Sequence, residues 1–440
     1  MAEAAAAAAV YETVETTAQI GVGAYMVAKP TMPLKATFTQ IATSSDDQTK
    51  LSLSRSGHSI SIVKDKAYIF GGETAAGKLA SNEVHAVTLH SADTPEPDYS
   101  VIPAVPDQEG GKVPAARHSH AACGFNICVA VFGGVDESGN VIDEPFIWLF
   151  VTGKSCWETL EASSSEKSPQ PRRDAHLFDH QNNLILYGGT DASGQSLHDV
   201  WHFSYVNKTW TQLPDAPVST SNVALSDGVL YTITGSDEVS GDLHFLPLNA
   251  GSNQENGWSH VPFPTNPLTP GPQPRTGAGL LPVTTGYGRQ YLLYMFGSRA
   301  IVQPKGSAAE QKETDDSTLE VEPKDPKDLS PQFWSDMWTY QLPSSTPELK
   351  ANIYQALKPA KIKDAIRGAL GMDDGKHSWG EVEVLPPSES DLATSDGKVH
   401  PGPRALFACD VMKDGKTAVI WGGVNPKGER EGDGWVIRLE

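Results

Sequence analysis

The sequence predicts an all-β fold built from six repeated four-stranded units arranged as a propeller. The first observation is composition, since 40 Gly and 32 Pro among 440 residues suit many short strands better than a helical bundle. The second is a double glycine, or a remnant of one, that ends an apolar strand six times, as in LILYGG, which ends at Gly189. The third is an aromatic residue followed three positions later by an apolar one, again six times. Recurrence at about fifty residues indicates a repeat architecture.

The two marks define where the units lie. The strand-ending glycines are Gly71/Gly72, Gly133/Gly134, Gly188/Gly189, Gly235, Gly297 and Gly422/Gly423. The aromatic marks are Phe38/Ile41, Tyr99/Ile102, Trp157/Leu160, Trp210/Leu213, Trp258/Val261 and Trp379/Val382. Each unit is predicted to hold one strand after an arginine, one ending in glycine, one with an Asp-x-Trp mark and one with the aromatic. Radial packing of such units hides the sheet edges.

The offset between the two sets predicts how the ring closes. The first aromatic mark precedes the first double glycine, and only the strand WVIRLE follows the last one. The segment ATFTQI, residues 36–41, is therefore predicted to be the outer strand of the last unit. Glycine permits positive φ and close approach where units converge, and tryptophan fills the gap between units. The aspartate of Asp-x-Trp, such as Asp199, is predicted to cap turn amides.

Three segments depart from the repeat. Residues 1–33 are alanine-rich and are predicted to be either helical or disordered, whereas 34–440 form the propeller. Residues 300–332 are acidic and lack apolar periodicity, which predicts a disordered insertion. Residues 343–376 carry apolar side chains near helical spacing around Pro359, which predicts a small helical insertion on the side of the fifth unit.

Charge and cysteine content exclude several classes of function. A formal net charge of -20 disfavours nucleic acid and anionic membrane surfaces as partners, because both require clustered cations. No run of 18 apolar residues predicts a membrane span. The start of the chain lacks the pattern of a secretory signal, so we expect a cytoplasmic protein, and a nuclear pool is also compatible with the sequence. We further expect a monomer. Four scattered cysteines predict free thiols.

The double glycine, the spaced tryptophan and the arginine before most first strands resemble the Kelch repeat family over residues 34–440. The fourth and fifth units depart from its pattern, since TITGSD and MFGSRA lose one glycine. The resemblance implies a six-bladed Kelch-type β-propeller like the central domain of galactose oxidase. Kelch domains often bind acidic peptide segments through arginines in these loops. The partner-binding residues that this implies are Arg55, Arg117, His118, Arg172, Arg173, Arg275 and Arg404.

The chemistry of arginine supports the same function independently. Guanidinium groups gathered on one face repel unless an anion joins them, and they bind carboxylates in bidentate geometry. The predicted function is thus a non-catalytic protein-binding scaffold, without a cofactor, that captures an acidic or hydroxyl-bearing partner segment. Arg173 is the best candidate contact because Arg172 and Arg173 are adjacent, and one arginine of the two is additional to the motif. In the alternative interpretation, each arginine pairs with a nearby Asp or Glu and ties the blades together.

A second hypothesis is an enzyme-like protein that uses the mouth of the propeller channel. Plant nitrile-specifier proteins are Kelch propellers that hold iron with E-x-x-x-D-x-x-x-H, and the stretch EVSGDLHF is similar to that arrangement. Glu238 and Asp242 match the acid spacing, but His244 follows two residues on instead of four. The copper chemistry of galactose oxidase needs a cross-linked Cys and Tyr, and that organisation is not visible. Histidines near strand starts show no metal-binding spacing and are predicted to be structural: His58, His118, His120 and His176.

Overall fold

In the computed structural model every element with described bounds is a β-strand, and the strands form six sheets of four or five strands each and one two-stranded hairpin. Inner strands of neighbouring sheets contact one another, which arranges the sheets as the blades of a six-bladed propeller. Within the described part of the chain, no helix has the length and apolar character needed to cross a membrane. The structure describes residues 32–41, 53–89, 99–163, 167–234, 241–248, 257–263, 271–285, 288–299, 332–343, 378–386 and 399–440.

The first three blades follow one another along the chain after strand β1 (Lys35–Ile41). Blade one contains β2 (Ser59–Val63), β3 (Lys66–Phe70), a short hairpin of β4 (Glu73–Ala75) and β5 (Lys78–Leu79), then β6 (Val84–Thr88) and β7 (Tyr99–Ile102). Blade two contains β8 (Ala121–Phe125), β9 (Cys128–Phe132), β10 (Ile147–Val151) and β11 (Cys156–Leu160). Blade three contains β12 (Arg172–Arg173), β13 (His176–His180), β14 (Asn183–Asp191), β15 (Ser196–Ser204) and β16 (Thr209–Leu213).

The last three blades repeat the same antiparallel order. Blade four contains β17 (Asn222–Ser226), β18 (Val229–Ile233), β19 (Leu243–Pro247) and β20 (Ser259–Val261). Blade five contains β21 (Gly279–Thr284), β22 (Gln290–Met295), β23 (Met337–Gln341) and β24 (Trp379–Glu381). Blade six contains β25 (Glu383–Val384), β26 (Ala408–Val411), β27 (Thr417–Trp421) and β28 (Gly434–Leu439), together with β1.

The ring closes through β1, as the sequence predicts. β1 pairs antiparallel with β28, the last strand of the chain, and Phe38 lies opposite Ile437. Both side chains are buried in the core between blades five and six. β25 then adds to the free edge of β1 in parallel, so the chain that leaves blade five also extends blade six. Sheet hydrogen bonds and apolar packing thus join the two ends of the propeller.

Aromatic side chains of the outer strands fill the spaces between blades. Trp157 on β11 packs against Phe70 of blade one, with ring centroids 5.1 Å apart. Trp210 on β16 reaches Phe132 of blade two in the same way, at 6.2 Å. The repeated aromatic mark is therefore a packing residue of each interface between blades, as predicted.

The double glycines lie where neighbouring blades approach most closely. Gly71 of blade one has φ +65°, and a Cβ there would lie 2.4 Å from the Arg117 carbonyl oxygen and 2.8 Å from the His120 ring, both of blade two. Blade five has Phe296 at the position of the first glycine, and its φ of 53° keeps the same left-handed backbone. The turn is thus retained where the motif is incomplete, although a bulky residue adopts that conformation at a cost.

The structure does not bear out the predicted helical insertion at 343–376, since 344–377 lie outside the described residues. The same holds for the predictions on the alanine-rich start and on the acidic insertion, because 1–31 and 300–331 are also outside. The described strands nearest to these segments are β22, β23 and β24, which keep the regular blade order.

Candidate functional site: the arginine loops and the upper face

The arginine loops and the loops after the double glycines lie on the same face, here called the upper face. Isolated β-bridges connect the two sets in four blades: Ser56 with Glu73, His118 with Val135, Thr276 with Ser298, and Ala405 with Val424. This geometry follows from the strand order, because the first strand leaves the face where the second strand returns. The upper face therefore brings together all the predicted contact residues.

Blade three shows what the motif arginines do. Arg172 is 1% exposed, and its Nη1 donates to the Gly188 carbonyl at 3.0 Å and to Asp199 Oδ1 at 2.6 Å. Its Nη2 donates to Asp199 Oδ2 at 2.9 Å, and the same oxygen accepts the indole N–H of Trp201 at 2.6 Å. One guanidinium thus fixes the start of the first strand, the end of the second and the start of the third. We call this arrangement the arginine clamp.

The clamp recurs in three other blades with the same chemistry. Each guanidinium donates to a backbone carbonyl at the glycine turn and to both oxygens of one carboxylate, which also accepts a tryptophan N–H. The sets are Arg117 with Gly133, Glu144 and Trp148; Arg275 with Phe296, Asp336 and Trp338; and Arg404 with Gly422, Asp433 and Trp435.

Charge pairing keeps the clamp carboxylates of blades three and five, Asp199 and Asp336, ionised although they are partly buried. Burial acts to raise the pKa of Asp199, but the Arg172 guanidinium and the Trp201 indole together hold it below its usual value. The pKa of Asp336 is lowered against the same burial by Arg275 and Trp338. These two clamps are therefore ion pairs at neutral pH, and their charges are satisfied inside the protein.

The clamps act within a blade, and the arginine backbone connects neighbouring blades. The second glycine of one blade donates its N–H to the carbonyl oxygen of the next blade's arginine, as Gly134 does to Arg172 at 3.0 Å. The equivalent bond between blades six and one runs from Gly423 to Arg55 at 2.9 Å. The repeated arginine and glycine thus hold the ring together through both side chain and backbone.

Blade one has a histidine in place of the acid in its clamp. Arg55 donates to the Gly71 carbonyl at 3.1 Å and to His85 Nε2 at 3.0 Å, while His85 Nδ1 lies 2.7 Å from the Tyr99 hydroxyl. Because Nε2 accepts from a guanidinium, His85 is neutral here, with its proton on Nδ1. Burial and the Arg55 charge lower the pKa of His85 to about 3. Burial lowers the pKa of Arg55 to about 10.

Blade four has no clamp arginine. Asn222, at the start of its first strand, donates from Nδ2 to the Arg275 carbonyl oxygen of the next blade at 3.0 Å. Asp242 stands at the position of the clamp acid and accepts the backbone N–H of Phe263 at 2.8 Å. The contact to blade five is thus made by an amide side chain, and the acid of blade four is used in a loop.

The prediction that all seven residues contact a partner needs correction for five of them. Arg55, Arg117, Arg172, Arg275 and Arg404 are 0–1% exposed, so their guanidinium groups cannot reach a partner while the clamps are closed. For four of them the alternative interpretation holds, since each pairs with an acid of its own blade. The remaining two are accessible: the Arg173 side chain is 42% exposed and that of His118 is 21% exposed.

The sequence contains a signal for the clamps that composition alone does not reveal. The acid follows its arginine by 27 residues in both blade two and blade three. Tryptophan follows that acid two residues later in three of the blades, as Asp199 and Trp201 show. The prediction that the Asp-x-Trp acid caps turn amides is therefore wrong.

Other side chains cap the turns of the upper face. Asp136 Oδ1 accepts the N–H groups of Ser138 and Asn140 at 2.9 Å, and Asp191 does the same in blade three. Asn425 takes this part in blade six. The turn tips carry glycines with positive φ where a Cβ would meet no described atom within 4 Å, so there is open space beside them: Gly77, Gly139, Gly194 and Gly428.

A charged cluster on the upper face spans the junction of the two chain ends. Glu73 of blade one accepts from Arg430 Nη2 of blade six at 3.0 Å. His118 of blade two lies 3.8 Å from the other oxygen of Glu73. Glu73 therefore connects blades one and six through Arg430 and lies beside His118 of blade two, whose side chain stays partly exposed.

The proposed iron ligands are not brought together by the described structure. Glu238 lies outside the described residues, Asp242 is engaged by Phe263, and the His244 ring stacks on His260 with centroids 5.9 Å apart. No property of Asp242 or His244 therefore favours a metal over these contacts.

A different group of potential metal ligands lies at the outer edge of blade two. Asp107, Cys156 and Glu158 have ligand atoms within 4.8 Å of one another. The Lys154 ammonium contacts Asp107 and Glu158 at 3.1 Å each, and so already supplies a cation to these carboxylates. The four cysteines are free, as predicted, and burial raises the pKa of each thiol, which disfavours the reactive thiolate.

Comparison with known proteins agrees with this architecture. Bovine Kelch domain-containing protein 3 is 28% identical over 166 residues, which cover 36% of this chain and 40% of that protein. The N-(sulfonatooxy)prop-2-enimidothioate sulfolyase of Thlaspi arvense is 24% identical over 166 residues, covering 37% and 44%. The chain thus spans about two fifths of the length of these curated relatives.

Two further comparisons concern the fold and the family. The solved structure of YjhT superposes with a TM-score of 0.52 at 11% identity, covering 88% of this chain and 97% of that one, which shows the shared propeller fold alone. The sequence profile of the KLHDC2/KLHL20/DRC7 Kelch-repeats domain matches residues 57–297, more than half of the chain. With its clamps, paired glycines and closing strand, the chain belongs to this Kelch-repeat family.

Proposed function

We propose that the protein is a non-catalytic scaffold that binds a protein partner on the upper face of its propeller. One observation carries the proposal: the motif arginines are buried in clamps, whereas four hairpin turns of the same face end in glycines surrounded by open space. A partner can contact these turns without displacing any part of the propeller. Kelch-repeat propellers typically take part in protein interactions, which supports the same assignment.

The proposal keeps the predicted face and changes the predicted contacts. Arg173 and His118 remain candidate contact residues because their side chains are accessible. The other arginines would have attracted an acidic segment, and they are buried, four of them paired with an acid of their own blade and Arg55 bound to His85. The acidic character expected of the partner therefore depends on Arg173 alone. The enzyme-like hypothesis is not proposed, since the described residues at its centre are engaged in other contacts.

Photochemical cross-linking from defined positions tests the proposal. A photoreactive benzoylphenylalanine is placed at Ser138 or Ser193, on upper turns, and in control proteins at Ile127 or Val206, which are 51% and 86% exposed on the opposite face. After irradiation in extract of the source cells, we expect the same adduct from both upper positions and none from the lower ones. Equal thermal stability of the four proteins is the folding control.

The outcome distinguishes the faces directly. Adducts that form from the lower positions, or equally from all four, would contradict binding on the upper face. A monomeric state and a cytoplasmic location stay predictions, which sedimentation analysis and imaging of a fluorescently tagged chain would test.

A further inference from the structure

The upper face contains a polar cleft between blades three, four and five that the repeated motif does not explain. Its volume is about 220 Å³, enough for one long side chain. Hydroxyl groups line much of it: Thr190, Ser196, Ser219, Thr220 and Thr276. Because the cleft lies on the proposed partner-binding face, its chemistry indicates which groups of a partner it can accept.

Three of these hydroxyl groups already use their hydrogens within the protein. The Ser219 hydroxyl donates to the Leu197 carbonyl at 3.0 Å, and that of Thr220 donates to the Ile233 carbonyl at 2.7 Å. The Thr276 hydroxyl donates to the Ser298 carbonyl at 3.3 Å. A hydroxyl has one hydrogen and two lone pairs, and the Thr220 oxygen also accepts the Asn222 backbone N–H at 3.1 Å. Each of the three side chains therefore keeps at least one lone pair and faces a ligand as an acceptor.

Asn222 adds a buried acceptor to the wall of the cleft. The side chain is 1% exposed, and its Nδ2 donates to the Arg275 carbonyl oxygen. This leaves Oδ1 buried without a hydrogen-bond partner among the described residues. A buried acceptor left unpaired costs free energy, which a donor placed in the cleft would recover.

Asp174 gives the cleft its negative charge. This residue is exposed and lines the cleft, with φ 54° in the left-handed region. Arg173 is the neighbouring cation, and its Nη1 lies 3.7 Å from Asp174 Oδ2, too far for a direct hydrogen bond. A second carboxylate, Asp191, follows the cleft residue Thr190, and its hydrogen bonds to turn groups, chiefly from Ser193 and Gln195, keep its pKa below the usual value.

We propose that this cleft binds the ammonium or guanidinium group of a basic side chain on the partner protein. The inference rests on the proposed function and specifies the partner's chemistry. A lysine or arginine side chain supplies several N–H donors and a positive charge, which match an acceptor-lined cleft beside a carboxylate. The sign is opposite to that of the acidic partner predicted from the sequence, because five of the six arginines that supported that prediction are buried.

Fluorescence polarisation with short labelled peptides tests the proposal on the full-length chain. The probe is an eight-residue Gly/Ser peptide with two lysines, and matched peptides carry two glutamates or two glutamines in their place. The first variant is Asp174→Asn. The control is Asp227→Asn, because Asp227 is also an exposed aspartate with positive φ, 48°, but lies in the turn between β17 and β18 on the opposite face. Both substitutions remove one negative charge, and asparagine tolerates that backbone conformation.

We expect the lysine peptide to bind saturably and Asp174→Asn to weaken it by up to about fivefold, the effect of a partly exposed ion pair. Asp227→Asn should leave binding within about twofold, since only the overall charge of the protein changes. Equal weakening by the two variants, no saturable lysine binding, or preferred binding of the glutamate peptide would overturn the proposal. If cross-links still form only on the upper face in that case, the scaffold function stands and only the basic chemistry is wrong.

Discussion

Two adjacent arginines in blade three allow a sharp test of the clamp. Arg172 and Arg173 are neighbours in sequence, yet the first is 1% exposed and makes four hydrogen bonds to Gly188, Asp199 and Gln170, whereas the second has a 42% exposed side chain. We predict that Arg172→Ala strongly lowers the free energy of unfolding and that Arg173→Ala leaves it nearly unchanged. The two variants remove the same number of atoms and the same charge.

The magnitude follows from what Arg172→Ala leaves behind. Removing one partner of a buried ion pair costs about 3–5 kcal/mol, because the other charge stays desolvated. Asp199 keeps the Trp201 N–H and its side chain is 18% exposed, so water relieves part of the cost and we expect about 3 kcal/mol. For Arg173, with a single exposed 3.7 Å ion pair, we expect less than about 0.5 kcal/mol.

Urea denaturation followed by tryptophan fluorescence measures the difference through the midpoint and slope of each transition. The double variant Arg172→Ala/Asp199→Ala should lose less than the sum of the single variants, since the stranded carboxylate is gone. If Arg172→Ala and Arg173→Ala shift the midpoint equally, the clamp does not stabilise the blade and the structural assignment of the motif arginine is wrong.

Three further predictions concern the ring. First, the free energy of unfolding should fall as the pH drops from about 6.5 towards 4. In this range histidines of the unfolded chain take up protons, whereas the buried histidines of the folded protein stay neutral, and each such histidine lowers the free energy of unfolding by about 1 kcal/mol per pH unit. Urea midpoints at pH 7 and 5 would reveal the loss. The buried histidines are His58, whose pKa lies well below its usual value, His85 and His120, with pKa about 3, and His176, with pKa about 4. Burial raises the pKa of Asp410 to about 6, so the folded protein takes up one proton there, which offsets the effect of only one histidine. Second, Gly134→Ala should lower the free energy of unfolding by roughly 2–3 kcal/mol, since its Cβ would lie 2.8 Å from the His118 carbonyl oxygen. Gly139→Ala, at an open turn tip, should lower it by about 1 kcal/mol, and equal shifts in melting temperature would contradict this reasoning. Deleting residues 1–41 should abolish cooperative thermal unfolding, because it removes β1 from the sheet of blade six, and a truncated chain that melts like the full one would refute closure by β1.

The propeller could be predicted from the sequence because its marks follow from local geometry. A glycine that must adopt positive φ beside a neighbouring blade leaves the same mark in several repeats, as Gly71 and Gly133 do. An aromatic residue that fills the space between blades leaves a second mark, as Trp157 and Trp210 do. The aromatic mark at Phe38 precedes the first blade, and the last blade lacks its outer strand. The extra strand at the start of the chain could therefore be assigned to the last blade, which predicted how the ring closes.

The function of the arginines could not be predicted because their partners are distant in sequence. Arg172 and Asp199 are 27 residues apart, and Arg275 and Asp336 are 61 apart because the fifth blade carries an insertion. Only the strand order shows that these groups meet. Without that pairing, several arginines in loops on one face look like a site for an external anion. Asn222 in the cleft was missed for a related reason, since an asparagine at a strand start has no spacing that distinguishes it.

The positions that repeat are therefore the wrong place to look for this protein's specificity. Where a residue recurs in several blades, as Arg117 and Arg172 do, the clamp uses the donors of its guanidinium and little remains for a partner. Chemistry that is free for binding must lie where one blade differs from the others. Blade four lacks the clamp arginine and places Asn222 at the contact to blade five, while blade three adds Arg173 and Asp174 beside the same cleft. Because the departures of blades three and four meet at one cleft of the upper face, we infer that this cleft is where a partner specific to this chain would be recognised.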